Sequence, residues 1–152
     1  MKKKIFTICL LLFSLSICQA QGFEVLSATV DIYLHKDGYF DVEENYKVNF
    51  SVPKHGIYRD IITRYKYQDE NGVESKRSIY ISNIELPGHN YSASAKFVQE
   101  ITGSINLKLG DKRIKVTGEE DYLIKYRVYN ALIENKENLQ FYWNIKSSEW
   151  IA

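Results

Sequence analysis

The sequence predicts an all-β fold, an antiparallel β-sandwich built from short strands. Three observations predict it. Apolar residues recur with a period of two along most of the chain, tight-turn dipeptides separate the runs, and 12 tyrosines among 152 residues supply the aromatic content of half-buried strands. No segment carries a long apolar stripe at helical spacing.

Residues 1–20 read as a secretory leader. Lys2, Lys3 and Lys4 form a basic start and Ile5 to Ile17 an apolar core. Cys18-Gln19-Ala20 supplies the cleavage site, so that residues 21–152 form one exported domain. The apolar core is about 13 residues, short of the ~20 that span a bilayer. Leu15-Ser16-Ile17-Cys18 also approaches a lipoprotein motif, which would lipidate Cys18, although Ile17 stands where that motif takes a small residue. Cys9 and Cys18 both lie in the leader, so the mature domain is expected to have neither disulfide nor thiol chemistry.

The strands follow in order. Residues 24–35 and 39–51 read as an antiparallel hairpin about Asp37-Gly38, with Phe40, Val42, Tyr46, Val48 and Phe50 on one face. Pro53 to Gly56 breaks the pattern before Ile57 to Tyr65. A polar stretch, Tyr67 to Lys76, contains the turn Asn71-Gly72. Strand character returns from Ser78 to Leu86 and ends at Pro87-Gly88. Tyr91 to Val98 reads as a short strand, and Ser104 to Leu109 as another. Gly110-Asp111 turns toward Ile114 and Val116, Gly118 to Asp121 reads as a polar connection, and Tyr122, Ile124, Tyr126 and Val128 mark the clearest strand. Ala131 to Asn138 is expected to hold a short helical turn. Leu139, Phe141, Trp143 and Ile145 then alternate, which places Trp143 in the core and Tyr142 outside. A strand begins at Trp150 and is cut off at Ala152, so the chain reads as a truncated sandwich.

Three of the 20 basic residues leave with the leader, so 17 remain against 19 acidic ones, a net charge of −2. That balance argues against nucleic acid as a partner, since such partners require a basic patch.

Glu44 falls on the apolar stripe of its strand, where a carboxylate requires a partner. Arg59, set among Ile57, Tyr58 and Ile61, is the natural one, because a guanidinium clamps a carboxylate through two hydrogen bonds. The pair is expected to be structural. A binding role remains open for His55, Tyr58, Arg59 and Asp60, with Arg59 as anchor of a contact loop. Asp60 and Asp111 read as turn caps. His35, His55 and His89 sit near separate turns without metal-ligand spacing, and no nucleophile or phosphate-binding motif is present, so no metal, cofactor or catalytic residue is assigned.

The order of His55-Gly56-Ile57-Tyr58-Arg59-Asp60-Ile61, Gly110-Asp111, Tyr122 to Tyr126, Tyr142-Trp143-Asn144 and Trp150, preceded by Asp37-Gly38 and Val42-Glu43-Glu44, resembles the N-terminal domain of the DUF2207 family of bacterial membrane proteins. The resemblance covers residues 23 to 152. It implies an extracytoplasmic, periplasmic or cell-surface β-domain, with membrane helices in segments beyond this chain, and it implies no activity. The resulting expectation is a non-enzymatic interaction or sensing module that meets an unknown protein or envelope component. The alternatives are a soluble secreted module for glycans or an envelope protein, and an enzyme whose site is built from loops.

Overall fold

The computed structural model describes residues 22–68, 72–134, 139–141 and 143. Residues 1–21 with Cys9 and Cys18, Asp69 to Asn71, Tyr142, Asn144 and Trp150 lie outside the described residues. Strands β1 (Phe23–Leu34) and β2 (Tyr39–Lys54) form the expected hairpin around Asp37-Gly38, where Gly38 takes φ +80°. β2 pairs on its other side with β9 (Val116–Tyr129), from Tyr39 opposite Tyr129 to Phe50 opposite Gly118. β6 (Tyr80–Glu85) completes a four-stranded antiparallel sheet in the order β1-β2-β9-β6. A second antiparallel sheet has the order β3-β8-β7, from Ile57–Ile62, Ser104–Leu109 and Tyr91–Ala93.

The sheets meet through their inward stripes. Phe40, Val42, Tyr46, Val48 and Phe50 of β2 and Tyr122, Ile124, Tyr126 and Val128 of β9 are buried against Ile57 and Ile61 of β3 and Ile105, Leu107 and Leu109 of β8. Alternation with exposed residues is what a two-layer sandwich demands, and each fully buried apolar side chain stabilises it by roughly 1.5–3 kcal/mol. Trp143 joins this core edge-on to Phe40, with ring centroids 5.4 Å apart.

Three local expectations are corrected. The polar stretch after Tyr65 forms a ribbon, β4 (Arg64–Gln68) with β5 (Glu74–Ser78). The strand expected over 91–98 stops at Ala93, and helix α1 (Lys96–Thr102) follows, closed by Gly103 in the left-handed conformation. α1 buries none of its residues, so no apolar stripe was there to announce it. Gly118 to Asp121 belongs to β9, because the 16-residue β2 templates pairing past the point where propensity fails. Within the stretch Ala131 to Asn138, Leu132–Glu134 is strand β10, paired with β11 (Leu139–Phe141), and residues 135–138 lie outside the described residues. Among the described residues no helix is long and apolar enough to cross a membrane.

Candidate functional site

Strand parity turns Glu44 inward, between Val42 and Tyr46, and both its carboxylate and the Arg59 side chain are 0% exposed. Arg59 reaches across from the facing sheet. Its Nε donates to Glu44 Oε2 at 2.8 Å and its Nη2 to Oε1 at 2.7 Å. The Tyr46 hydroxyl donates to Oε2 at 2.7 Å, and the Tyr126 hydroxyl donates to Oε1. Each carboxylate oxygen thus accepts two bonds, which fills the capacity of an ionised carboxylate. Arg59 Nη1 donates to the Asp60 carbonyl. Burial, and then the charge of Glu44, push both tyrosine hydroxyls far above their ordinary range. Burial works against the Arg59 charge, but the bonds to Glu44 outweigh it and hold the guanidinium charged. One carboxylate therefore ties β2 and β9 to β3 across the sandwich.

Tyr46 and Tyr126 were not read from the sequence as partners of Glu44. The signal was present: both share the core stripe with a carboxylate, and a buried hydroxyl needs an acceptor.

The two widely spaced motifs meet at a second place. A Cβ on Gly56 would lie 1.8 Å from the Leu109 carbonyl oxygen, and one on Gly110 would lie 2.4 Å from that of His55. Both glycines take positive φ, +106° and +126°, so any side chain there meets strain and backbone together. His55 does not turn toward Asp60. Its Nδ1 bonds the Ile114 carbonyl at 2.9 Å, tying β3's entry to the loop before β9.

The segment expected as a contact loop is strand β3, and its residues alternate in exposure. Tyr58 is 47% exposed and faces out, whereas Arg59 is sealed inside. Arg59 as anchor of an external contact is therefore overturned: its guanidinium reaches no solvent. Asp60 caps no turn. Its Oδ1 accepts a bond from Asn106 Nδ2 on β8 at 2.6 Å. Asp111 does form the expected turn, accepting from the Arg113 backbone N–H at 2.7 Å, and the Arg113 side chain holds its carboxyl well below the usual range.

The histidines stay apart in role. His35 bonds Asp41 Oδ2 at 2.9 Å and stacks on Tyr39, while His89 bonds the Asp121 carbonyl and packs on Tyr122. His55 and His89 share a cavity of about 120 Å³ with Asn90, Asp111 and Tyr122. Burial raises the Tyr122 hydroxyl to about 12. Among the described residues no three histidine, cysteine or carboxylate side chains converge as a metal set. A larger cavity, about 620 Å³, lies between the β4–β5 ribbon and Ala131, Ile133 and Phe141, and none of the described motif residues lines it.

The fold and the motif geometry define a two-sheet β-domain whose distinctive residues are internal struts. Residues 24–152 match the family model described as "Predicted membrane protein (DUF2207) N-terminal domain", and the chain belongs to that family. It is similar to "Uncharacterized protein YciQ" of Escherichia coli (strain K12), at 26% identity over 124 residues, which is 80% of this chain and 19% of that protein. The chain thus spans about a fifth of that relative's length. No solved structure matches it.

Proposed function

We propose that residues 21–152 form the extracytoplasmic interaction or sensing module of a membrane-anchored protein, exported by the leader at residues 1–20, and that the module is not an enzyme. The family match over residues 24–152 carries this reading, since the matching model describes the N-terminal domain of predicted membrane proteins. The fold agrees with such a role. The motif residues best suited to chemistry, Glu44 and Arg59, spend their hydrogen bonds on each other and on two core tyrosines. We look for the partner surface on the outward side of β3 and β8, where Tyr58 is exposed and Asp60, Asn106 and Lys108 are half-buried, with His55 at its end. We place contact with a protein or other envelope component there, without Arg59 and without a cofactor.

Lys112 lies exposed on a turn and suits a reporter cysteine once Cys9 and Cys18 are replaced by serine. In intact cells, Lys112→Cys should react with a membrane-impermeant maleimide. Labelling only after lysis would place the domain in the cytoplasm and end the proposal. For the surface, a photoreactive residue at position 58 should form an adduct that the same residue at position 112 does not. The same adduct from both positions, or none from 58, would move the contact elsewhere.

A further inference from the structure

The two sheets have four edges, and three are guarded. β6 spans six residues and its register breaks between Ser82 and Glu85, around Asn83 at φ +52°. β7 is three residues long. On β3, the Asp60 and Ile62 carbonyls are already taken by Arg59 Nη1 and the Tyr65 hydroxyl. β1 differs. It runs 12 residues, with no lysine, arginine or proline from Phe23 to Leu34, and its one irregularity lies between Val25 and Ser27. From Ser27 to Tyr33 it is regular, and among the described residues nothing pairs with its outer side. Natural sheets blunt long edges with charge, proline or bulges, because an open edge recruits another strand.

The inward face of β1 also overhangs the core. Val30 and Ile32 are half-buried, Ala28 is exposed and Leu34 is 59% exposed, whereas their β2 neighbours Tyr46, Glu44, Val42 and Phe40 are 0–1% exposed.

We propose that β1 is a dimerisation strand, pairing antiparallel with β1 of a second copy about a two-fold axis at Val30 and joining two four-stranded sheets into one. The strand is complementary to itself in that register. Ala28 meets Ile32, Thr29 meets Asp31 and Ser27 meets Tyr33, so the apolar stripe continues across the axis and no like charges stand directly opposite, the two Asp31 carboxylates lying on a diagonal about 7–8 Å apart. Beyond the irregularity, Glu24 of one copy comes near Lys36 of the other, a match of opposite sign. Centring on Asp31 would oppose two carboxylates. This charge pattern favours a second copy over an unrelated strand. The inference rests on the edge alone, and holds whether or not the domain is exported.

The test uses the full chain with Cys9 and Cys18 replaced by serine. Val30→Cys should form a disulfide-linked dimer under mild oxidation, since directly opposed residues bring their Cα atoms about 4.5–5.5 Å apart, within disulfide range. Ile32→Cys alone should not, because its two copies stand about 13 Å apart along the strands. Ala28→Cys mixed with Ile32→Cys should cross-link. By sedimentation the unmodified strand should give a dimer, and Ala28→Lys, at an exposed position the monomer tolerates, should weaken it roughly tenfold or more. Its circular dichroism should be unchanged. A monomer at high micromolar concentration overturns the proposal. So does equal cross-linking from positions 30 and 32, or a dimer indifferent to Ala28→Lys. A Val30→Cys adduct to a different protein in cells, with the purified chain monomeric, assigns the edge to that partner instead.

Discussion

Glu44–Arg59 and Asp41–Arg127 are both two-pronged carboxylate–guanidinium pairs, built on opposite faces of one sheet. On the inner face both side chains are 0% exposed, and two tyrosine hydroxyls complete the carboxylate's shell. On the outer face Arg127 Nε and Nη2 reach Asp41 at 2.7 and 3.0 Å, His35 adds a third contact, and the guanidinium lies 4.3 Å over the Tyr39 ring. The Asp41 and Arg127 side chains remain 32% and 28% exposed. The bond lists are similar, yet the environments are not. Water can replace any contact of the outer pair, whereas nothing replaces a contact of the inner one. The inner pair therefore holds the sandwich in one arrangement, and the outer pair decorates a surface.

That difference sets the order of effects. Arg59→Met leaves Glu44 buried without its countercharge and should cost about 3–5 kcal/mol in urea unfolding, a large share of the ~5–15 kcal/mol by which ordinary domains are stable. A small loss would mean that water reaches Glu44 once the guanidinium is gone. Tyr126→Phe removes one donor to the same carboxylate and should cost about 1.5–3 kcal/mol. Replacing the pair together, Glu44→Leu with Arg59→Met, should recover most of the single-mutant loss, because two apolar groups need no partners. Recovery should stop short of the wild type, since the hydroxyls of Tyr46 and Tyr126 then lack an acceptor. A double variant no better than Arg59→Met would show that the pair specifies the fold beyond its electrostatics.

Asp41→Asn should have the smallest effect, and one that depends on pH and salt. The Arg127 bond, ahead of the smaller opposing effect of burial, lowers the Asp41 pKa from its ordinary 3.8. A carboxyl with a lowered folded-state pKa contributes stability above its ordinary value and loses it as pH falls through the folded-state value. The gap between wild type and Asp41→Asn should be constant near neutrality and should close below pH 3.8. It should also narrow at high salt, while the Arg59→Met gap should not. A salt-sensitive Arg59→Met loss would erase the contrast between the faces.

The inner site was partly legible. Glu44 stood out because a carboxylate occupied an apolar parity position, and Arg59 because it sat among apolar residues. Its tyrosine donors were visible only as strand formers, since parity says which face a hydroxyl takes but not what lies opposite. Only the contact role of Arg59 fails, and for a related reason: in a loop an arginine would face water, whereas in β3 alternate residues point inward. Gly56 and Gly110 could be suspected of positive φ one at a time, but not of needing each other. Helix α1 left no trace, because a helix that buries nothing imposes no apolar period.

The sequence by itself determined the class of fold, the first hairpin and the inward direction of Glu44, Tyr46, Tyr126 and Trp143. Those follow from period-two alternation and from turn residues, which act over a few neighbouring positions. Tertiary structure alone decided the strand order β1-β2-β9-β6, the meeting of Gly56 with Gly110, the four-donor shell around Glu44 and the long open edge of β1. These join residues as distant in the chain as Tyr39 and Tyr129. Which partner each strand finds at that range is settled by how two apolar faces close on each other and satisfy every buried polar group, a condition no local stretch of sequence can express.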